Sequence, residues 1–158
     1  MKLLENLPEN IKDYCMNQKE DLLDGYIRFL DEAGAEEVFE IVRISRIWKG
    51  GIPFATTAFG DVFVWCDGFI VLYRFAEADQ DVILSGTAYF FVNVNDTEYQ
   101  EDFFDIGLYQ ETVNLYGNIN DTECFTLEPV PALGGARELQ YIHIGDRNTY
   151  LQMLIALS

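Results

Sequence analysis

His143 is the only histidine in the chain, so any catalytic triad or proton relay built on imidazole rests on it. It sits in Tyr141-Ile142-His143-Ile144, where alternation sets it opposite the isoleucines on the more exposed face of a strand, with no serine or cysteine nearby in sequence. Cys15, Cys66 and Cys124 are an odd, scattered set without a CxxC pair, which suits buried thiols in a reducing compartment better than a disulfide frame or a zinc site. Cys124 follows Glu123, and a neighbouring carboxylate raises a thiol's pKa and blunts its reactivity. Asn93, Asn95, Asp96 and Glu98 are grouped like calcium-loop oxygens, yet the glycine and distal glutamate of an EF-hand are out of place. Carboxylate pairs suited to glycoside hydrolysis are plentiful, but at this density pairs arise by chance. Gly134-Gly135 lacks the sequence context and basic surroundings of a phosphate loop and reads as a tight turn. These residues assign no catalytic group, no metal and no cofactor.

The carboxylates carry their information in bulk. Between residues 51 and 125 there are thirteen acids against one base, Arg74, out of a formal net charge of −17 for the whole chain. The acidity is regional. A field of one sign repels nucleic acid and anionic membrane, so direct nucleic-acid binding and membrane attachment are not expected. It steers a basic partner into encounter instead. Hydrophobic residues make up 49% of the sequence, which places it outside the composition of disordered chains and makes the acidity a skin on a folded core.

At 158 residues the sequence fits one domain, able to bury roughly 70% of the surface of its unfolded chain. The first eight residues show no apolar signal-peptide core, and no apolar run approaches the ~18 residues of a membrane span, so a cytoplasmic location is expected. Residues 9–16 read as a short helix with Pro8 at its first position. Leu22, Leu23, Tyr26, Ile27, Leu30 and Ala33 share one stripe at helical spacing, which predicts a helix over 18–33 stopped by Gly34. A third helix is expected over 36–48, though its β-branched content leaves a strand open. Segments 54–59, 62–66 and 69–75 read as strands, with Gly60-Asp61 and the hairpin signal Asp67-Gly68 between them. Further strands are expected at 82–84 and 89–94, then one helix over 97–116. Strands at 123–127 and 139–144 flank a turn-rich stretch, and Asp146 caps a final helix. Helices first, then an antiparallel β-meander, then a helix, two strands and a C-terminal helix make an α+β fold.

Two stretches are more specific. One is Ile52-Pro53-Phe54-Ala55-Thr56-Thr57-Ala58-Phe59-Gly60-Asp61 with Val62-Phe63-Val64-Trp65. The other is Glu123-Cys124-Phe125-Thr126-Leu127-Glu128-Pro129-Val130-Pro131-Ala132-Leu133-Gly134-Gly135, followed by Tyr150-Leu151-Gln152-Met153-Leu154. In order and approximate spacing, across about residues 50–158, they resemble the C-terminal domain of the type VI secretion immunity proteins that neutralise DNase effectors. Thr126 departs from a usual glycine and Pro131 from a usual leucine. The first fifty residues look shorter than the GAD-like region often found ahead of this domain, so nothing is carried onto them.

The resemblance implies a non-enzymatic antitoxin that binds a cognate secreted toxin, a nuclease whose basic active-site region it occludes. The matching residues build turns and core, so they identify the family well and a binding site poorly, and need not touch the toxin. The charge pattern makes Asp96, Glu98, Tyr99, Glu101, Asp102 and Asp105 the interface candidates, with Glu77, Asp79 and Asp81 next. Two rivals stand beside this reading. One is a binding module of the cell-wall-regulator-like immunity superfamily with a non-nuclease partner. The other is a carboxylate-dependent hydrolase, which needs two acids facing each other in a pocket. Oligomeric state is not encoded in any of these features.

Overall fold

The structure is a computed structural model that describes residues 2–17, 21–77, 80–83 and 87–157, with backbone alone at 80–83, 87, 88 and 132. A 3-10 turn at Leu3–Asn6 leads into α1 (Glu9–Met16), where Pro8 is the N-cap residue rather than the first helical one. The helix expected over 18–33 is absent from the described part of that segment. Leu23, Asp24 and Gly25 all have positive φ (55°, 55° and 93°), a conformation no right-handed helix contains. They form a tight turn closed by the Leu22–Ile27 bridge, and the chain continues as β1 (Ile27–Phe29). Tyr26 and Ile27 are buried all the same, because the turn and the edge strand β1 pack onto the same hydrophobic core that a helix stripe would have met.

Gly34 does not stop a helix but lies inside one. Helix α2 (Glu32–Val42) starts where the Asp31 carboxylate accepts from the Gly34 N–H at 2.7 Å. Ala35, Val38, Ile41 and Val42 form its buried stripe, so the third helix exists but begins four residues earlier than its spacing suggested. The Glu32 carboxylate accepts from the N–H groups of Leu3 and Leu4 at 2.9 and 3.1 Å, tying the N-terminal turn to α2.

Strands β2 (Ile52–Thr57), β3 (Val62–Cys66), β4 (Phe69–Arg74) and β5 (Gln80–Ile83) follow the expected positions. With β1 they form a five-stranded antiparallel sheet in the order β1-β2-β3-β4-β5. Asp67 and Gly68, at φ 50° and 86°, supply the two left-handed residues of a hairpin turn that pairs Cys66 with Phe69.

Residues 89–94, expected as a strand, are mostly helical: α3 spans Thr87–Asn93, with Phe90 buried and Tyr89 and Val92 in solvent. Aromatic and β-branched content suggested a strand, and packing overrides it, since the Phe90 ring meets Phe63 of the sheet edge-on at 5.7 Å. The helix expected over 97–116 is two, α4 (Thr97–Phe103) and α5 (Ile106–Tyr116). The break falls where Phe104 drops into the core against Tyr26, ring centres 5.4 Å apart. Strands β6 (Glu123–Leu127) and β7 (Ile142–Asp146) form a separate antiparallel pair, and α6 (Arg147–Leu157) closes the chain. The Asp146 carboxylate caps α6 by accepting from the Thr149 N–H and hydroxyl, both at 2.9 Å.

One buried hydrophobic cluster runs from Leu4 to Ile155 and joins sheet, helices and the β6–β7 pair. Its largest members are aromatic, including Tyr26, Phe54, Phe59, Phe63, Tyr73, Phe90 and Phe125. Each such side chain contributes about 1.5–3 kcal/mol of burial, which makes this cluster the principal source of stability. The α+β architecture is therefore as the sequence indicates, with β1 added to the meander.

Candidate functional site

The two motif stretches meet in space. The Phe125 N–H donates to the Ala58 carbonyl at 2.8 Å, and the Phe125 ring lies 6.0 Å from that of Phe59. Gly60 turns with φ 85°, and a Cβ there would stand 3.2 Å from the Tyr150 ring, so this turn admits little besides glycine. Tyr150 in turn accepts a hydrogen bond from the Leu127 N–H. Thr57 and Asp61 complete the turn: the Thr57 hydroxyl donates to the Asp61 carboxylate at 3.1 Å and accepts from the Phe59 and Asp61 N–H groups. The recognisable residues are thus the joint between the sheet and the β6–β7–α6 unit. The residues at this joint, Thr57, Phe59, Asp61, Phe125, Leu127 and Tyr150, are buried.

Asp61 is 2% exposed and carries a charge that needs an answer. Arg137 supplies it from the stretch between β6 and β7, with one guanidinium nitrogen 3.5 Å from Asp61. Its Nε donates to Glu77 and its Nη1 to Asp105 at 2.6 Å. Arg74 adds a second cation, with Nη2 3.4 Å from the same Asp105 oxygen. Burial alone would lower the Arg137 pKa, but Asp61, Asp105 and Glu77 together hold it above its ordinary value. Two of the nine interface candidates, Glu77 and Asp105, are therefore clamped on internal cations. Nothing in the sequence signalled this, since Arg137 lies 60 and 32 residues from these partners.

The other candidates are distributed differently. Asp96 is the N-cap of α4, accepting from the Tyr99 N–H at 3.2 Å. Glu98, Glu101 and Asp102 are all exposed, and their i, i+3, i+4 spacing puts them on one face of α4. Tyr99 is half-buried behind that face, its ring 4.9 Å from Phe103 and 5.9 Å from Phe104. Asp81 pairs with Tyr73 in the β4–β5 ladder, and Asp79 lies outside the described residues. Tyr89 and Val92, exposed at 66% and 69%, add an apolar pair on the preceding helix that acidic counting overlooked.

The residues considered for catalysis are placed elsewhere. His143 is exposed on β7 as expected, its Nδ1 3.9 Å from a Glu128 carboxylate oxygen, beyond hydrogen-bond reach. Burial, more than any neighbouring charge, pushes the Cys124 thiol up to about 12, and Cys15 is likewise pushed up to about 12 by burial, which leaves both unreactive. The carboxylates that do converge, Asp61, Glu77 and Asp105, close on a guanidinium and not on an open pocket. Among the described residues no cluster of His, Cys, Asp and Glu is arranged to hold a metal ion. A cavity of about 520 Å³ lies between α1, β1 and the start of α2, with Cys15, Asp31, Glu37 and Arg147 in its wall. No helix among the described residues is long and apolar enough to cross a membrane.

No curated protein matches the chain. Among solved structures, the fold is similar to the crystal structure of Atu4351 from Agrobacterium tumefaciens, with a TM-score of 0.70 at 12% identity, over 96% of this chain and 76% of that one. At that identity the likeness establishes the fold alone. Residues 85–158, just under half of the chain, match the model of a known family, T6SS immunity protein Tdi1, C-terminal, which is the type VI secretion immunity family that the sequence resembles.

Proposed function

We propose that this protein is a cytoplasmic immunity protein that binds a type VI-delivered nuclease and neutralises it without chemistry of its own, by covering the toxin's basic DNA-binding region. The family match carries the immunity role. The nuclease partner rests on charge: an enzyme that grips DNA presents lysine and arginine to phosphate, and an acidic face competes for the same residues. The face that fits is α4, where Glu98, Glu101 and Asp102 line up in solvent beside Asp96, with Tyr99 packed behind. Asp79 and Asp81 stay candidates on the sequence's charge pattern alone, while Glu77 and Asp105 serve the face from within. Rim charges of this kind act chiefly on the association rate and its dependence on salt.

The test uses the toxin encoded beside this gene, with its nuclease centre inactivated, in a pull-down and then in stopped-flow association. Glu98→Lys, Glu101→Lys and Asp102→Lys together should slow association by about 10–100-fold at low salt and flatten its salt dependence. An unchanged rate and salt slope would remove α4 from the interface, and absence of any binding by the parent protein would defeat the immunity reading itself.

A further inference from the structure

We propose that Arg137 is the positioning residue of the toxin-binding face, fixing the C-terminal end of α4 so that Glu98, Glu101 and Asp102 are presented as one preformed row; this rests on the immunity reading given above. The link is Asp105. It holds the N-cap position of α5, yet its side chain makes no capping hydrogen bond. Asp31 and Asp96, at the same position of their helices, both cap. The Asp105 carboxylate is turned instead to Arg137 at 2.6 Å and Arg74 at 3.4 Å, while its backbone N–H donates to the Tyr26 hydroxyl at 3.0 Å. The junction that immediately follows α4 is thereby pinned from three sides, by β4, by the turn before β1 and by the stretch between β6 and β7.

The cluster is a poor device for stability alone. Arg74 Nε and Arg137 Nη2 are buried and make no hydrogen bond among the described residues. Partly satisfied ionic groups contribute less than a well-packed apolar replacement would, and what such a cluster supplies here is a defined orientation. A preformed acidic row loses less side-chain and backbone freedom when it docks, which shows in the dissociation rate.

Charge and positioning predict opposite signs for one substitution. Arg137→Gln makes the protein more acidic, so a pure charge effect would speed association with a basic toxin and tighten the complex. Positioning predicts a dissociation constant raised about tenfold, through faster dissociation, and amide hydrogen exchange in 97–103 quickened about tenfold by local opening, with 150–155 changing only as the loss of global stability requires. Arg137→Lys keeps the charge but lacks the planar fork that reaches three carboxylates, and it should show the same changes at smaller size, which covers the case where the glutamine variant does not fold. Tighter or unchanged toxin binding, or exchange in 97–103 that stays at the parent rate, would overturn the assignment. If the parent protein binds no toxin, the immunity reading falls, and the exchange pattern still decides whether Arg137 fixes α4.

Discussion

Asp102 and Asp105 stand three residues apart, and their carboxylates occupy different physical worlds. Asp102 is exposed on the outer face of α4 with Glu98 and Glu101, where water and salt screen it. Asp105 sits one turn later at the break between helices, ion-paired with Arg137 and Arg74 in a partly buried cluster that also contains Asp61 and Glu77. The outer row faces solvent and contributes little to the fold. The inner cluster ties β4, the turn at Asp61 and the stretch between β6 and β7 to the junction after α4. Equal formal charge therefore divides into two roles, and burial makes the division.

The largest break in that contrast should come from the inner side. Arg137→Gln leaves Asp61 buried opposite no guanidinium and should destabilise the protein by about 3 kcal/mol in urea unfolding. The triple lysine replacement on α4 comes next: it should change unfolding stability by no more than about 0.5 kcal/mol while producing the large loss of association rate described above. A comparable loss of stability in that variant would show that the outer row is not independent of the fold. Asp96→Ala removes the cap of α4 and should lower stability by about 1 kcal/mol, with the change in amide exchange confined to the first turn of that helix.

The smallest effect sharpens the contrast with an acid outside both groups. Hydrogen bonds from the Thr149 backbone and then its hydroxyl hold the Asp146 carboxyl below its ordinary pKa. A depressed folded-state pKa stabilises the protein above the unfolded value, near 4, and that contribution disappears as pH falls through the lower folded value. Asp146→Asn should therefore flatten the acid limb of the stability–pH curve slightly, leaving the curve at neutral pH nearly parallel to the parent's.

The sheet was largely legible because its signals are local. Asp67-Gly68 can form the left-handed turn that joins β3 to β4, and alternation and aromatic density mark the flanking strands. Strand β1 was concealed by Leu22, Leu23, Tyr26, Ile27 and Leu30, whose spacing suits a helix as well as a turn and strand. A discriminating signal did exist in Asp24-Gly25, the same dipeptide type as Asp67-Gly68, and the Tyr109 hydroxyl lies 2.9 Å from where a Cβ on Gly25 would stand. The split of 97–116 into α4 and α5 had no comparable mark. Apolar spacing runs on through Phe103, Phe104 and Leu108, and the break depends on Phe104 and Asp105 finding Tyr26 and Arg137 far away in the chain.

Composition and local pattern by themselves determined the α+β class, the acidic character, and the motif stretches that point to the immunity family, because each depends on residue type or on neighbours in sequence. Only the tertiary structure decided which carboxylates are spent inside the protein and which remain outside. That choice depends on a guanidinium from residue 137 reaching Asp61, Glu77 and Asp105 at once, and on the burial that makes their charges answer to each other instead of to water.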